Sequence, residues 1–520
     1  MKQNRRRFLR VASLVALGSR VRVREASAQD PASAVVIDPK PLFDISPHLY
    51  MQFMEPLGTT DGSVEASWDY EADDWRKDLI DVTKDLSPSV VRYGGLFSRY
   101  YKWREGVGPA KLRPVMRNYV WGGIESNRVG TPEFVDFCRR VGAEPLMCVN
   151  FHSDGDRQFW KTHDGQHRSG DAQEAADWVS YTNDPDNRER RAHGIRDPLT
   201  IRLWQVGNET SYGAGWFSKE ESIRETIAFA KAMKPRDPSI KLIGWGDRGP
   251  KPERTYWAAD LIKQAGEDLD YVALHMMGQS PTRPNTALAG WNYQREPEQA
   301  WDELLELSNR VESRISEFEQ IVSSASPTMG IAVTEGHLSL RPYNANPILY
   351  EWITGIYHAR SMNIYQRHGA RVKIATAADF NGTRWTVNAV MMPVPGGQSY
   401  LMPVGSVMRL FKRHNGNQGV AVKSAPSDLD IAASRSGDRV FLHVANLSYN
   451  RASEVSLSVD GMTITGGRVF EIAPQSPLTH VSEGEPKVFD PVEKPLPAGS
   501  APLWRFPATS VSVVELDVKS

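Results

Sequence analysis

Glu209 and Glu335 are the residues of this chain best placed to do chemistry. Each closes a largely apolar run, IRLWQVGN before Glu209 and GIAVT before Glu335. An ionised carboxylate at the end of a buried strand is costly unless it is paired or used. Two such carboxyls facing one sugar ring can cleave a glycosidic bond by double displacement. One attacks the anomeric carbon, while the other protonates the leaving oxygen and later takes a proton from water. The alternative reading is two carboxylates held by arginines for stability alone. Glu55, Arg92, Asn150, Asn208, His275 and Asp379 also follow apolar runs, and form a wider set of candidates. Asp379 either adds negative charge that raises a neighbouring carboxyl pKa or accepts hydrogen bonds from sugar hydroxyls. Arg92, Arg99, Arg341 and Arg384 either pair with nearby carboxylates or recognise a uronic acid carboxylate through their bidentate forks. Trp385 and Trp103 are candidate stacking platforms for a sugar face.

These groups need a scaffold that brings distant strand ends together. Eight β-rich runs alternate with helical patterns: Leu49–Phe53, Val90–Tyr93, Glu144–Asn150, Arg202–Gly207, Lys241–Trp245, Tyr271–His275, Gly330–Thr334 and Val372–Ala377. Several are continuous apolar strings, as in parallel strands buried on both faces. Between them lie amphipathic stretches such as DDWRKDLIDVTKDL and TPEFVDFCRRVG, the latter with Thr131 as expected N-cap and Pro132 in the first turn. Eight strand–helix units predict a (β/α)8 barrel, whose strand C-termini carry the chemistry. A doubly wound sheet would want a Gly-rich phosphate turn after its first strand, and none is present. Beyond about residue 415 the pattern alternates apolar and polar residues between Gly, Asn, Asp and Pro breaks, which predicts an antiparallel β-sandwich. The expected organisation is a signal segment at 1–28, an N-terminal strand at 29–47 that pairs with the sandwich, a barrel at 48–414 and a sandwich at 415–520.

Composition narrows the function classes. The 62 Lys and Arg nearly cancel the 63 Asp and Glu, so no global field favours nucleic acid or an anionic membrane. Only Cys138 and Cys148 occur, and both are expected as buried free thiols. No CxxC or HExxH spacing is present, and two-carboxylate chemistry requires neither metal nor cofactor. The segment NRRRFLR, the short apolar stretch after it and Ala26-Ser27-Ala28 read as a twin-arginine export signal, with a periplasmic or extracellular destination. The apolar stretch is too short to span a bilayer. Assembly with further copies of the chain is left open.

The string WQVGNE at 204–209 resembles the acid/base segment of clan A glycoside hydrolases. More narrowly, residues 45–420 resemble family 51 α-L-arabinofuranosidases through ISPHLYMQFMEPLG, VVRYGG, YYKWREGVGP, ESNRVGTPEFVDFCRRVGAEPLMCVNF, IRLWQVGNE, DYVALH, GIAVTEG and RVKIA. The resemblance implies Glu209 as acid/base, Glu335 as nucleophile, Asn208 as donor to the hydroxyl beside the anomeric carbon, and Glu55 as a ligand of the cleaved sugar. It also implies a β-sandwich partner domain. Departures from the family cluster around the sugar. Pro56 stands for the usual His and Leu96 for Asn, HMMG at 275–278 lacks the usual tyrosines, TEGH replaces DEWN, and Asp379 replaces Gln. The expected function is therefore a retaining exo-glycosidase on polysaccharide-derived glycosides, with an α-L-arabinofuranoside as first substrate. Glucanase, xylosidase or uronic-acid-directed action, and a non-catalytic carbohydrate-binding barrel, are the alternatives.

Overall fold

The computed structural model describes residues 33–519 apart from 214, 215, 252, 253 and 282. Eight parallel strands form one sheet: β1 (Met51–Met54), β2 (Val90–Tyr93), β3 (Glu144–Cys148), β4 (Leu203–Val206), β5 (Lys241–Trp245), β6 (Tyr271–Gln279), β7 (Gly330–Ser339) and β8 (Val372–Ala375). They pair in sequence order, and a parallel bridge from Tyr50 to Ala375 joins the two edges, closing a barrel. The lumen is filled by one inward side chain or more from every strand: Met51, Val90, Leu146, Leu203, Ile243, Trp245, Ala273, Ala332 and Ile374. Strand alternation puts the next inward residues two positions on, one layer nearer the C-terminal face. That rule brings Arg92, Gln205 and His275 together above the apolar layer.

β6 and β7 run on beyond the His275 and Thr334 ends expected from sequence and stay paired to Gln279 and Ser339. A bulge interrupts their register at Thr334, so that Val333 faces Leu274 but Glu335 faces His275. Bulges of this kind re-aim side chains; here Glu335 and His337, two residues apart, are left on one face. The helix Thr131–Val141 starts one residue earlier than expected. Gly130 is its N-cap, the Glu133 carboxylate accepts the Gly130 N–H, and Thr131 instead accepts the Trp178 indole N–H.

A nine-stranded, mostly antiparallel sheet holds the C-terminal residues together with the early strand Ser33–Asp44. That strand lies antiparallel to Gln418–Ser424 and parallel to Ser453–Val459. Side chains from strands at opposite edges, Leu496 and Phe506, share one core, so the sheet folds over on itself as a sandwich. Its strand Val511–Lys519 alternates between two apolar interiors. Val514, Leu516 and Val518 enter the sandwich core, whereas Val511 and Val513 join the core around the barrel. Cys138 and Cys148 are buried and free. Among the described residues, no helix is long and apolar enough to cross a membrane.

Candidate active site

Arg92 organises the barrel mouth. Its guanidinium is fully buried and donates Nε to Gln205 Oε1 at 2.7 Å, Nη1 to Glu335 Oε1 at 2.9 Å and Nη2 to Asn208 Oδ1 at 2.5 Å. One planar fork thus ties together β2, β4, β7 and the turn after β4. That turn carries Glu209 in the left-handed region, at φ 56°. It is held from below by Asp154, whose Oδ1 accepts the Asn208 N–H and the Thr210 hydroxyl, both at 2.8 Å. Arg99 lies between the two acids, with Nε 3.5 Å from Asp154 Oδ2 and Nη2 3.9 Å from Glu209 Oε2. The Arg99 guanidinium stacks 4.0 Å from the centre of the Trp216 ring.

His275 joins the two glutamates. Its Nδ1 lies 3.1 Å from Glu209 Oε1 and 3.5 Å from Glu335 Oε2. Oxygens of Glu209 and Glu335, together with this nitrogen, all fall within 4.8 Å of one another. Burial lowers the His275 pKa to about 4, so the ring is neutral in ordinary working conditions. A neutral ring that faces two carboxyls carries its proton on Nδ1 and donates it to them. Behind it, Asp247 accepts the His275 N–H at 3.1 Å, the Tyr212 hydroxyl at 2.5 Å and Arg314 Nη2 at 2.7 Å.

Burial raises the pKa of both glutamates. For Glu209 the opposing pull comes from Arg99 and Arg92, and for Glu335 from His275 and Arg92. Glu209 and Asp379 add their negative charge to the upward push on Glu335. Of the two glutamates, Arg92 makes its direct contact with Glu335, whereas Arg99 is the cation nearest Glu209.

Glu55 reaches the same cluster from the loop after β1. Its Oε1 accepts the Trp121 indole N–H at 3.0 Å and the Phe97 N–H at 3.3 Å. Gly95 packs so closely against it that a Cβ would come within 2.2 Å of the carboxyl carbon. Burial, with Glu335 and Asp379 adding to it, pushes the Glu55 pKa up to about 8. Asp379 stands not on β8 itself but at the start of the short strand Asp379–Gly382, where its Oδ1 lies 2.6 Å from His337 Nδ1.

Two expected residues have other partners. Asn150 gives its amide hydrogens to the Tyr101 and Arg168 carbonyls and accepts the Ser153 N–H, so it holds the loop after β3. Trp385 is buried, edge-on to Trp121 at 5.3 Å, and backs the indole that binds Glu55. Trp103 is not a platform. It is 2% exposed, stacked on Trp178 and hydrogen-bonded to the Glu174 carbonyl, because the aromatic residues of this region build the core. Of the arginines, Arg99 is an ion-pair partner, while Arg341 and Arg384 are exposed. Sequence reasoning did not single out Gln205, Asp154, Asp247, Arg314, Trp121 or His337. Gln205 alone had a legible signal, sitting two residues after inward Leu203 on the same strand.

Residues 82–296 match the family described as α-L-arabinofuranosidase 1 domain. The intracellular exo-α-(1→5)-L-arabinofuranosidase of Acetivibrio thermocellus is 32% identical over 243 residues, 45% of each chain. The enzyme of the same name from Halalkalibacterium halodurans is 34% identical over 243 residues, again 45% of each. The chain thus matches less than half the length of these relatives in sequence. In fold the likeness is wider: a family 51 arabinofuranosidase of Xanthomonas axonopodis pv. citri superposes with a TM-score of 0.76 at 20% identity, over 93% of this chain and all of that one. Export through a twin-arginine signal at 1–28, to a periplasmic or extracellular destination, is overturned. The Acetivibrio thermocellus and Halalkalibacterium halodurans relatives are both named intracellular, and the segment lies outside the described residues. The chain is thus similar to α-L-arabinofuranosidases in sequence over part of its barrel, and to a family 51 arabinofuranosidase in its two-part fold.

Proposed function

We propose that the protein is a retaining glycoside hydrolase that removes a terminal α-L-arabinofuranosyl unit from a polysaccharide-derived glycoside. The observation that carries the reading is the meeting of Glu209 and Glu335, with carboxyl oxygens within 4.8 Å over the His275 ring. Retaining enzymes hold their carboxyls about 5–5.5 Å apart, whereas inverting ones leave about 6.5–9.5 Å for a water. Glu335, ionised against Arg92, attacks the anomeric carbon as the bond to the leaving oxygen breaks. Glu209 gives that oxygen its proton. A water then adds its hydroxide to the anomeric carbon and its proton to Glu209, and Glu335 leaves as carboxylate. Asn208, oriented by Arg92, is in reach of the neighbouring hydroxyl, and its Nδ2 hydrogens have no partner in the protein. Glu55, with a pKa raised to about 8, is a neutral carboxyl near pH 7 that can donate as well as accept.

The substrate class also follows from charge. A uronic acid would set its carboxylate beside Glu335 and Asp379, whose partners Arg92 and His337 are already engaged, so an uncharged sugar fits better. Because Leu96, His337 and Asp379 depart from the arabinofuranosidase pattern, a different neutral sugar is the second reading.

The test is a panel of aryl glycosides followed by ¹H NMR of the first-formed anomer. Retention with the α-L-arabinofuranoside as best substrate is expected, and initial inversion would end the proposal. Glu335→Ala should cost roughly 10⁴- to 10⁶-fold in kcat. Glu209→Ala should cost roughly 10²- to 10⁴-fold, mostly with poor leaving groups. Azide should restore activity to Glu209→Ala on activated substrates.

A further inference from the structure

We propose that His337 and Asp379 form a specificity-determining pair in which the imidazole, gripped at Nδ1 by Asp379, presents its Nε2 hydrogen to one hydroxyl of an uncharged sugar bound over Glu335. This rests on the reading of the barrel mouth as a glycosidase site and goes beyond it, since the double-displacement chemistry uses neither residue.

The first support is placement. His337 shares a strand face with Glu335, two residues on, beyond the bulge at Thr334. Asp379 comes from the segment after β8, so that the pair links this segment to β7. The second is the contact itself. Nδ1 and Oδ1 are 2.6 Å apart with both side chains 7% exposed, a geometry that fixes the ring and keeps a proton on Nδ1. The third is an unmet requirement. His337 Nε2 is buried and has no hydrogen-bond partner in the protein. A buried polar nitrogen without a partner costs free energy that a ligand atom can recover.

Charge agrees with this. Burial works against a proton on His337, but Asp379, helped by Glu335 and Glu209, raises its pKa above the usual value. The neighbouring His358, its pKa lowered to about 3 by burial and by His337, adds no second positive charge. A charged ring is a donor at both nitrogens, so with Nδ1 committed to Asp379 the free nitrogen seeks an acceptor. A sugar hydroxyl supplies one, and its own hydrogen can pass on to Asp379 or Glu55.

The experiment is a cycle of enzyme and substrate changes. Wild type, His337→Phe, His337→Gln and Asp379→Asn are assayed on the preferred aryl glycoside and on versions lacking one hydroxyl in turn. His337→Phe should lower kcat/KM on the parent substrate roughly 10- to 100-fold. His337→Gln, which keeps a donor near the Nε2 position, should recover part of that loss. On one deoxy substrate alone the penalty of His337→Phe should shrink to about 3-fold or less, because the contact is already absent. Equal penalties on every substrate would mean a merely structural role and overturn the proposal. In parallel, ¹⁵N-histidine spectra of the wild type are recorded with free L-arabinose and D-xylose. The His337 ring signals should move on saturation, and a sugar that binds without moving them would also overturn it. An enzyme that neither hydrolyses nor binds any sugar would instead fail the glycosidase reading, and this inference with it. One that binds sugar without cleaving it leaves the pair to be judged by the spectra.

Discussion

Arg92 shows how one side chain sets the state of its neighbours. Its three bonds, to Gln205, Glu335 and Asn208, use all of the fork that faces the barrel mouth. Truncation would leave the buried Glu335 without its cation and two buried amide oxygens without their donor. Arg92→Ala should therefore destabilise the protein by about 3–5 kcal/mol, measured by denaturant unfolding. Arg92→Lys should fold better yet still lose activity, since an ammonium cannot reproduce the fork. The same logic governs pH. The proposed reaction needs Glu335 to lose a proton and Glu209 to keep one, and burial raises both pKa values. The kcat/KM profile should thus be bell-shaped, with its acid limb above the ordinary glutamate value near 4.3. Glu209→Gln should abolish the basic limb. Both acids were legible because each interrupts an apolar run where polarity needs a reason. Their arginine was legible as a charge on a strand. The acceptors Asp154 and Asp247 were not, since nothing in a loop sequence says which acids the fold will turn inward.

At the scale of elements, the turn after β4 is the most demanding piece of backbone. Gly207 takes φ 90°, and a Cβ there would meet Thr210 Oγ1 at 2.7 Å, the hydroxyl that Asp154 holds. Glu209 follows in the left-handed region at φ 56°. A non-glycine residue accepts that conformation at a cost of about 1–3 kcal/mol when its surroundings impose it. Gly207→Ala should lower Tm and reduce kcat/KM together, because strain and misplacement of Glu209 have one cause. Differential scanning calorimetry and the aryl glycoside assay read the two effects. The eight barrel strands were readable from their apolar runs. The extension of β6 and β7 was not, because His275, Gly278, Glu335, Gly336 and His337 look like strand terminators until the bulge and the site give them a place.

For the whole molecule, the barrel and the sandwich share an interior. Trp352 and Trp301 donate their indole hydrogens to the Thr509 and Leu447 carbonyls, and Arg360, Asn363 and Arg367 converge on Asp430. His443 also lies at this junction, stacked 4.1 Å from Phe411 with Nε2 on the His414 carbonyl. Burial lowers its pKa to about 4. Between pH 6.5 and 4 the unfolded chain binds a proton at this position that the folded one refuses, so its stabilisation is complete above pH 6.5 and fades below. A His443→Phe variant keeps the stack and drops the titration. Across that window the wild type should lose stability relative to the variant, as read by paired denaturant melts. The change of texture near residue 415 foretold a second architecture, while the shared core escaped the sequence because alternation shows that both faces are covered and not by what.

The strand Ser33–Asp44 finds its two neighbours, Gln418–Ser424 and Ser453–Val459, only at the far end of the polypeptide. During synthesis it emerges before any barrel segment and must wait until nearly all the rest has left the ribosome. A barrel finished on a nascent chain would meanwhile trail an unmatched apolar β segment, exposed to any passing edge. Covering the segment during that interval, by co-expressing a chaperone that binds nascent chains, should raise the soluble yield more than a change to the barrel itself.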